Sequence, residues 1–326
     1  MSTTEATGLL RAFLLDGKGG ARILDWAGVR AWSPSDGVLW VNLDYAAPDA
    51  LAWIEHEARI DPLIRDALLD ADPRPRATAH DDALVLIVRG INMNEGSAPE
   101  DMLSVRALIE PRRIITMRHR ISRSLRGLMQ DVERGHGATS AGDVTALLVD
   151  RIVDHVVIRV DSLGDQIAAC EDQALVETRG ELRAQLADQR RRAIALRRFL
   201  APQREALAKL VQINLAWLDD THRARIAEAA DRMTRTVEEL DAARDRAAVT
   251  QEELASRLAE MTNARLYTLS IVTAIFLPLG FVCALLGVNV GGIPLRDAEW
   301  AFWALCAVFG AFTVGMLWFF KRRGWF

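Results

Sequence analysis

The chain has 326 residues, 50% of them hydrophobic, with a formal net charge of −4 and six histidines. From Leu266 onward the charges sum to +2, so the preceding part carries −6. A mildly acidic domain argues against a nucleic-acid partner. Three cysteines without CxxC spacing imply no disulfide framework.

Met1–Gly8 is polar, and Leu9–Leu15 is too short and too interrupted by Arg11 to serve as an export signal. The large N-terminal part is therefore expected to stay in the cytoplasm. The spacing predicts strands over Gly8–Asp16 and Ala21–Leu24, joined by a turn at Gly17-Lys18-Gly19-Gly20. That turn lacks the Gly-Lys-Ser/Thr order of a phosphate loop and reads as a plain hairpin connection. Val38–Leu43 is a further strand. Asp49 is expected to cap a helix over Ala50–Ala58, and Asp61-Pro62 to open one reaching Asp70. Asp72-Pro73-Arg74-Pro75-Arg76 is a linker, since two prolines exclude a helix interior. Strands follow over Ala77–His80, Ala83–Asn92, Met102–Glu110 and Arg113–Met117. Ser122–Glu133 reads as a short amphipathic helix.

This first domain, residues 1–138, is α+β with an α/β/α-like layering. His56, His80, His119 and His136 do not fall at metal-ligand spacing. No nucleophile elbow, zincin helix or Cys-His pairing is present. Nothing here supports an enzyme.

Residues 139–265 read as a cytoplasmic region of long helices forming a stalk. Leu147, Leu148, Ile152, His155, Val156, Arg159 and Leu163 recur at helical spacing, with Asp143 as a plausible cap and Gly180 as a stop near Thr178. A second helix spans Glu181 to about Trp217, and Pro202 should kink or split it. Its basic run, Arg190-Arg191-Arg192 and Arg197-Arg198, reads as a solvated face paired with acids, or alternatively as a contact for another subunit or anionic lipid. A third helix starts near Asp219-Asp220-Thr221 and meets no Gly or Pro until Pro278. Carried through the membrane entry it is roughly 105 Å long at about 1.5 Å per residue. A rod of that length needs lateral packing, expected from copies of itself.

Residues 266–326 form a transmembrane domain. Leu266–Val290 contains no charged residue and no histidine, and Trp300–Phe320 is similarly apolar. About 20 such residues cross the hydrocarbon layer. Lys321, Arg322 and Arg323 after the second span place that end in the cytoplasm. With two spans, both termini are then cytoplasmic and the loop Gly291–Glu299 faces outward.

On the first span, steps of three and four select Asn263, Leu266, Ser270, Thr273, Leu277, Gly280, Ala284 and Gly287. This stripe is small or polar at most positions. It fits close helix packing, and it fits the wall of an aqueous pathway. The second span carries Trp300 and Trp303 at one end and Trp318, Phe319 and Phe320 at the other, the aromatic belt of a lipid-facing helix. Asp297 and Glu299 in the loop either raise the local cation concentration or serve as ordinary loop solubilisers.

A large cytoplasmic domain, a long stalk helix and two C-terminal spans joined at Gly287-Val288-Asn289 resemble the CorA superfamily of divalent metal ion transporters. The run LPLGFVCALLGVNVGGIP is similar to its zinc-transporting ZntB branch, as are Leu43-Asp44-Tyr45, Arg74-Pro75-Arg76 and Ala201-Pro202-Gln203-Arg204. The magnesium-transporting members carry Gly-Met-Asn where this chain has Gly-Val-Asn. The resemblance implies a homopentamer in a bacterial inner membrane, with five first spans around one pore. It implies that Gly287, Val288 and Asn289 form the outer mouth, that the stripe is the pore wall, and that Leu266 and Leu277 are apolar constrictions. The cargo is then zinc or another divalent cation, carried without a cofactor. Proton coupling, if used, must rest outside the spans, for example on Asp297 or Glu299. The competing readings are a magnesium, cobalt or nickel channel of the same fold, and a non-conducting membrane-tethered sensor.

Overall fold

The computed structural model describes residues 8–176, 180–287 and 298–322. The chain divides into two compact units, Met1–Glu252 and Glu253–Phe326.

The first unit is built on a seven-stranded sheet. Its strands are β1 (Leu9–Leu15), β2 (Ala21–Ile23), β3 (Val38–Asp44), β4 (Arg76–His80), β5 (Ala83–Gly90), β6 (Leu103–Ile109) and β7 (Arg113–Arg118). They lie in the order β2-β1-β3-β7-β6-β5-β4. Only β3 and β7 pair in parallel; the other neighbours are antiparallel. The hairpin turn is closed by Asp16, whose carboxylate accepts the backbone N–H groups of Lys18 at 2.7 Å and Gly20 at 2.9 Å. Those N–H groups are thereby taken, and the turn is a structural one.

Alternate residues of the strands serve the two faces. Leu39, Val41 and Leu43 of β3 join Val85, Ile87, Leu108 and Ile115 in one core. That core is capped by α1 (Trp26–Ala31), α2 (Pro48–Ala52) and α3 (Pro62–Leu69) through Val29, Ala50, Ile64 and Leu68. On the opposite face of β3, Trp40 is fully buried beside Phe13, with ring centroids 5.8 Å apart. Its indole N–H donates to Thr116 Oγ1 at 3.0 Å, and that hydroxyl donates on to Asn42 Oδ1 at 3.1 Å. The Trp40 indole, the Thr116 hydroxyl and the Asn42 carbonyl oxygen thus satisfy one another inside this layer. The amphipathic α4 (Arg123–Glu133) buries Leu125, Leu128, Met129 and Val132. Ser122 caps it by accepting from Leu125 N–H, as Asp61 caps α3 by accepting from Leu63 N–H.

Several elements differ from the sequence expectation. The helix expected over Ala50–Ala58 starts at Pro48, with Asp49 inside its first turn, and runs into a π-helical turn over Trp53–Glu57. The Pro-first rule applies here, as it does at Pro62. Helix α1 was not foreseen: it is short, and only Val29 of it is buried. The helix expected to reach Trp217 ends at Gln212. Trp217 instead turns its indole N–H to the carbonyl of Asp82 at 2.7 Å.

The long helices are α5 (Ala141–Val176), α6 (Gly180–Gln212) and α7 (Asp220–Gly287). Ser140 and Asp143 start α5: Asp143 N–H donates to Ser140 Oγ at 3.1 Å, and the Asp143 carboxylate accepts the Thr139 N–H at 3.0 Å. Pro202 lies inside α6 without splitting it, and Gly180 is its first residue. The basic run is matched by acids. Arg191 and Arg192 share Asp188 at 3.0 and 2.8 Å, and Arg197 pairs with Asp241 at 2.5 Å.

Within the first unit, α7 buries Ile226, Ala229, Met233, Val237, Leu240, Ala243 and Ala247 at helical steps. Ion pairs tie it to α5, where Arg232 bridges Asp150 and Asp154, and to α6 through Asp241. Within this unit the chain's own α5 and α6 therefore lie beside α7.

Candidate ion pathway

The second unit contains the remainder of α7 and α8 (Ala301–Arg322). Both helices are long and apolar enough to cross a membrane, with mean hydropathy of 2.1 and 1.9 over their most apolar stretches. Their apolar side chains are mostly uncovered: Phe276 is 67% exposed, Trp303 73% and Val314 66%. So much uncovered apolar area is stable only in contact with lipid or other spans. The chain is a membrane protein.

Each helix has one face that is covered. On α7 it holds Ile271, which is buried, with Tyr267, Ala274, Ile275, Pro278 and Leu279 half-buried around it. On α8 it holds Ala301, Ala304, Leu305, Phe309, Thr313, Met316 and Phe320, again at steps of three and four. The two covered faces are complementary in spacing and belong to one unit. At 100° per residue, the stripe Leu266, Ser270, Thr273, Leu277, Gly280, Ala284 and Gly287 is centred roughly 140° around α7 from Ile271. All of these residues, and Asn263 before them, are exposed. The small and polar stripe therefore lies on the exposed side of α7, away from its covered face.

The hydroxyls on that stripe have a defined polarity. Ser270 Oγ donates to the Leu266 carbonyl at 2.9 Å, and Thr273 Oγ1 donates to the Leu269 carbonyl at 2.8 Å. Each hydroxyl hydrogen is thus spent inside the helix. What faces outward is the oxygen with its lone pairs. A hydrated cation presents water hydrogens outward, so an acceptor-lined wall matches it. Gly280 and Gly287 have open space where a Cβ would sit. Leu266 and Leu277, 57% and 66% exposed, are the large apolar members. The stripe contains no Cys, His or carboxylate; the two span cysteines, Cys283 and Cys306, are exposed and unpaired.

Val288, Asn289 and Asp297, expected at the mouth and in the loop, lie outside the described residues. Glu299 is described and exposed. Among the described residues no three His, Cys, Asp or Glu side chains come together as a metal site. In the first unit, two further histidines are engaged. His222 is within 3.2 Å of Asp143 Oδ1, and His155 Nδ1 lies 2.8 Å from Ser124 Oγ. The His155 ring sits on the apolar stripe of α5, which was its one sequence signal.

A divalent cation transporter, CmaX, of Pseudomonas aeruginosa is 35% identical over 98% of this chain and 97% of its own length. The full-length CmaX structure superposes with a TM-score of 0.85, covering 98% of this chain and 99% of that one. The zinc transport protein ZntB of Yersinia enterocolitica is 33% identical over 96% of this chain and 95% of its own. The CorA magnesium transporter of Methanocaldococcus jannaschii shares the fold, with a TM-score of 0.77 at 17% identity. The profile of the CorA-like Mg2+ transporter protein family matches residues 35–322, and the chain belongs to that family of transporters.

Proposed function

We propose that the protein moves zinc, and to a lesser degree other divalent cations, across the bacterial inner membrane as a homopentamer. Five copies of the α7 stripe surround one pore, and the α8 helices form an outer ring. Both termini are cytoplasmic. The observation that carries this reading is the open acceptor stripe from Asn263 to Gly287, on the exposed side of α7. A relative named for zinc transport matches nearly the whole chain, which supports zinc as the cargo.

At the outer end, Asn289 contacts the hydration shell of the incoming ion beside Gly287 and Val288, and Asp297 and Glu299 raise the local cation concentration. Zn²⁺ that sheds its water prefers His, Cys or carboxylate ligands. A wall of Ser270 and Thr273 oxygens suits an ion that keeps its water, with Leu266 and Leu277 as dewetting constrictions. The spans hold no carboxylate, His, Lys or Arg between Leu266 and Gly287. A proton that drives transport must therefore travel on groups outside them.

The second reading is a magnesium, cobalt or nickel channel of the same architecture, favoured by a relative named as a divalent cation transporter. Zinc flux into liposomes, measured with and without an imposed pH gradient and in competition with Mg²⁺, Co²⁺ and Ni²⁺, decides between the readings. Zinc uptake that survives excess Mg²⁺ is expected. Absence of any metal flux would refute transport and leave a tethered sensor.

A further inference from the structure

The first unit holds a cavity of about 600 Å³ with chemistry that a cation pathway does not use. Its wall joins Arg89 of β5, Arg106 of β6, Arg120 just after β7, and Arg198 of α6, with Tyr45 and Phe199 between them. The register places Arg106 opposite Ile87 and Arg89 opposite Ser104. Arg89 and Arg106 therefore emerge on the same sheet face as Ile87 and Leu108.

Arg106 is 1% exposed and Arg89 8%. A buried guanidinium ordinarily meets a carboxylate, because an unpaired buried charge is costly. Arg106 meets none. It donates to the Leu68 carbonyl and, at 3.3 Å, to the Tyr45 hydroxyl, and it lies over the Tyr45 ring at 4.2 Å. Its Nε–H has no acceptor. Arg89 Nε–H has none either. The one carboxylate that Arg89 reaches is Asp72 at 2.6 Å, whose side chain is 64% exposed and also faces Arg198 at 3.8 Å. Glu100, the buried acid of the cavity, is already engaged by Arg159 at 2.8 Å, and Asp101 is exposed. Arg120 has no ion pair among the described residues. Burial, followed by the positive charges of Arg89 and Arg76, holds the pKa of Arg106 below its ordinary value, against the opposing pull of Tyr45 and Asp70. The cavity is an assembled cationic site short of negative charge.

We propose that this cavity binds a small phosphate-bearing anion. Its oxygens accept from the exposed guanidiniums of Arg120 and Arg198, while the buried cations Arg89 and Arg106 add uncompensated positive charge to the wall. Guanidinium forks match phosphoryl oxygens in geometry and charge. The volume lies in the range of roughly 300–1,000 Å³ usual for small-molecule sites. This site is independent of the transport reading.

The test is calorimetric titration of the full chain in detergent micelles with pyrophosphate. The buffer is stripped of divalent metals, because pyrophosphate itself chelates them. Saturable binding near one per chain is expected, weakened about tenfold or more in the double variant Arg120→Ala/Arg198→Ala. Both positions are surface-accessible, so the fold should survive, and circular dichroism checks that it does. An Arg22→Ala variant, changed outside the cavity, should bind like the wild type. Absence of saturable binding, or a double variant within twofold of wild type, overturns the proposal.

Discussion

Gln203 accepts the backbone N–H of Arg89 at 2.5 Å, so a helix side chain completes a strand ladder. Strand β4 begins at Arg76, which pairs with Ile87, and the next pairing position for β5 would fall on the Pro-flanked linker. That linker cannot extend the ladder, and Arg89 N–H would be left buried and bare. Gln203, fully buried one residue after Pro202, fills the gap. Replacing it by the similarly shaped Met removes the acceptor and keeps the volume. A buried donor left alone costs about 1–3 kcal/mol. For a unit of this size that corresponds to a fall of roughly 2–10 °C in the unfolding midpoint. A Gln203→Met protein that melts with the wild type would show that the bond contributes nothing.

His155 of α5 makes stability pH-dependent. Burial lowers its pKa from the ordinary histidine value, with Arg123 and Arg151 adding to the shift and Asp154 opposing it. Ser124 Oγ lies 2.8 Å from Nδ1. A depressed folded-state pKa means that the unfolded chain binds the proton more readily. The contribution of neutral His155 is therefore complete above about pH 6.5 and is lost as the pH falls through the folded-state value. Melting curves of the full chain between pH 5 and pH 7.5 should show a declining midpoint on the acid side. The decline should be shallower in His155→Asn. An identical slope in the two proteins would exclude His155 as its source.

Arg232 of α7 is held by Asp150 and Asp154 of α5, one turn apart, and its side chain is 26% exposed. Two carboxylates around one guanidinium leave an excess negative charge if the Arg is removed. Arg232→Ala should then cost about 1–3 kcal/mol, since part of the site is solvated. Adding Asp150→Asn to that variant should recover stability by relieving the repulsion between the two acids. A double variant less stable than the single one would contradict this account.

These elements differ in how visible they were from the chain alone. The sheet was legible because alternation, Gly turns and the caps Asp61 and Ser122 all point the same way. The stripe on α7 was legible because small and hydroxyl residues recur at steps of three and four. Arg106 was not, because a strand reading LSVRALI does not say that its cation will be buried against the Leu68 carbonyl and the Tyr45 ring. The π-helical turn after α2 and the donor role of Trp217 toward Asp82 depend on partners distant in sequence. Periodicity reveals an apolar face on the long helix but not its occupant. In the first unit that occupant is α5 and α6.

The stripe itself gives the most direct functional prediction. Ser270 and Thr273 already donate their hydroxyl hydrogens to the Leu266 and Leu269 carbonyls. Replacing them by Ala and Val removes two outward acceptors and leaves the backbone bonds of the helix in place. Both positions are exposed and lie away from the covered face around Ile271, so folding should persist. If hydrated cations use these oxygens, each lost contact is worth about 1 kcal/mol, and the Ser270→Ala/Thr273→Val protein should carry zinc roughly tenfold or more slowly. A matched change on another exposed face, Val272→Ala, should leave flux near the wild-type rate. Liposomes loaded with a zinc-sensitive dye read both variants under the same gradient. Wild-type flux in the double variant would remove the stripe as the pore wall. It would leave close packing between helices as the reason for its small residues.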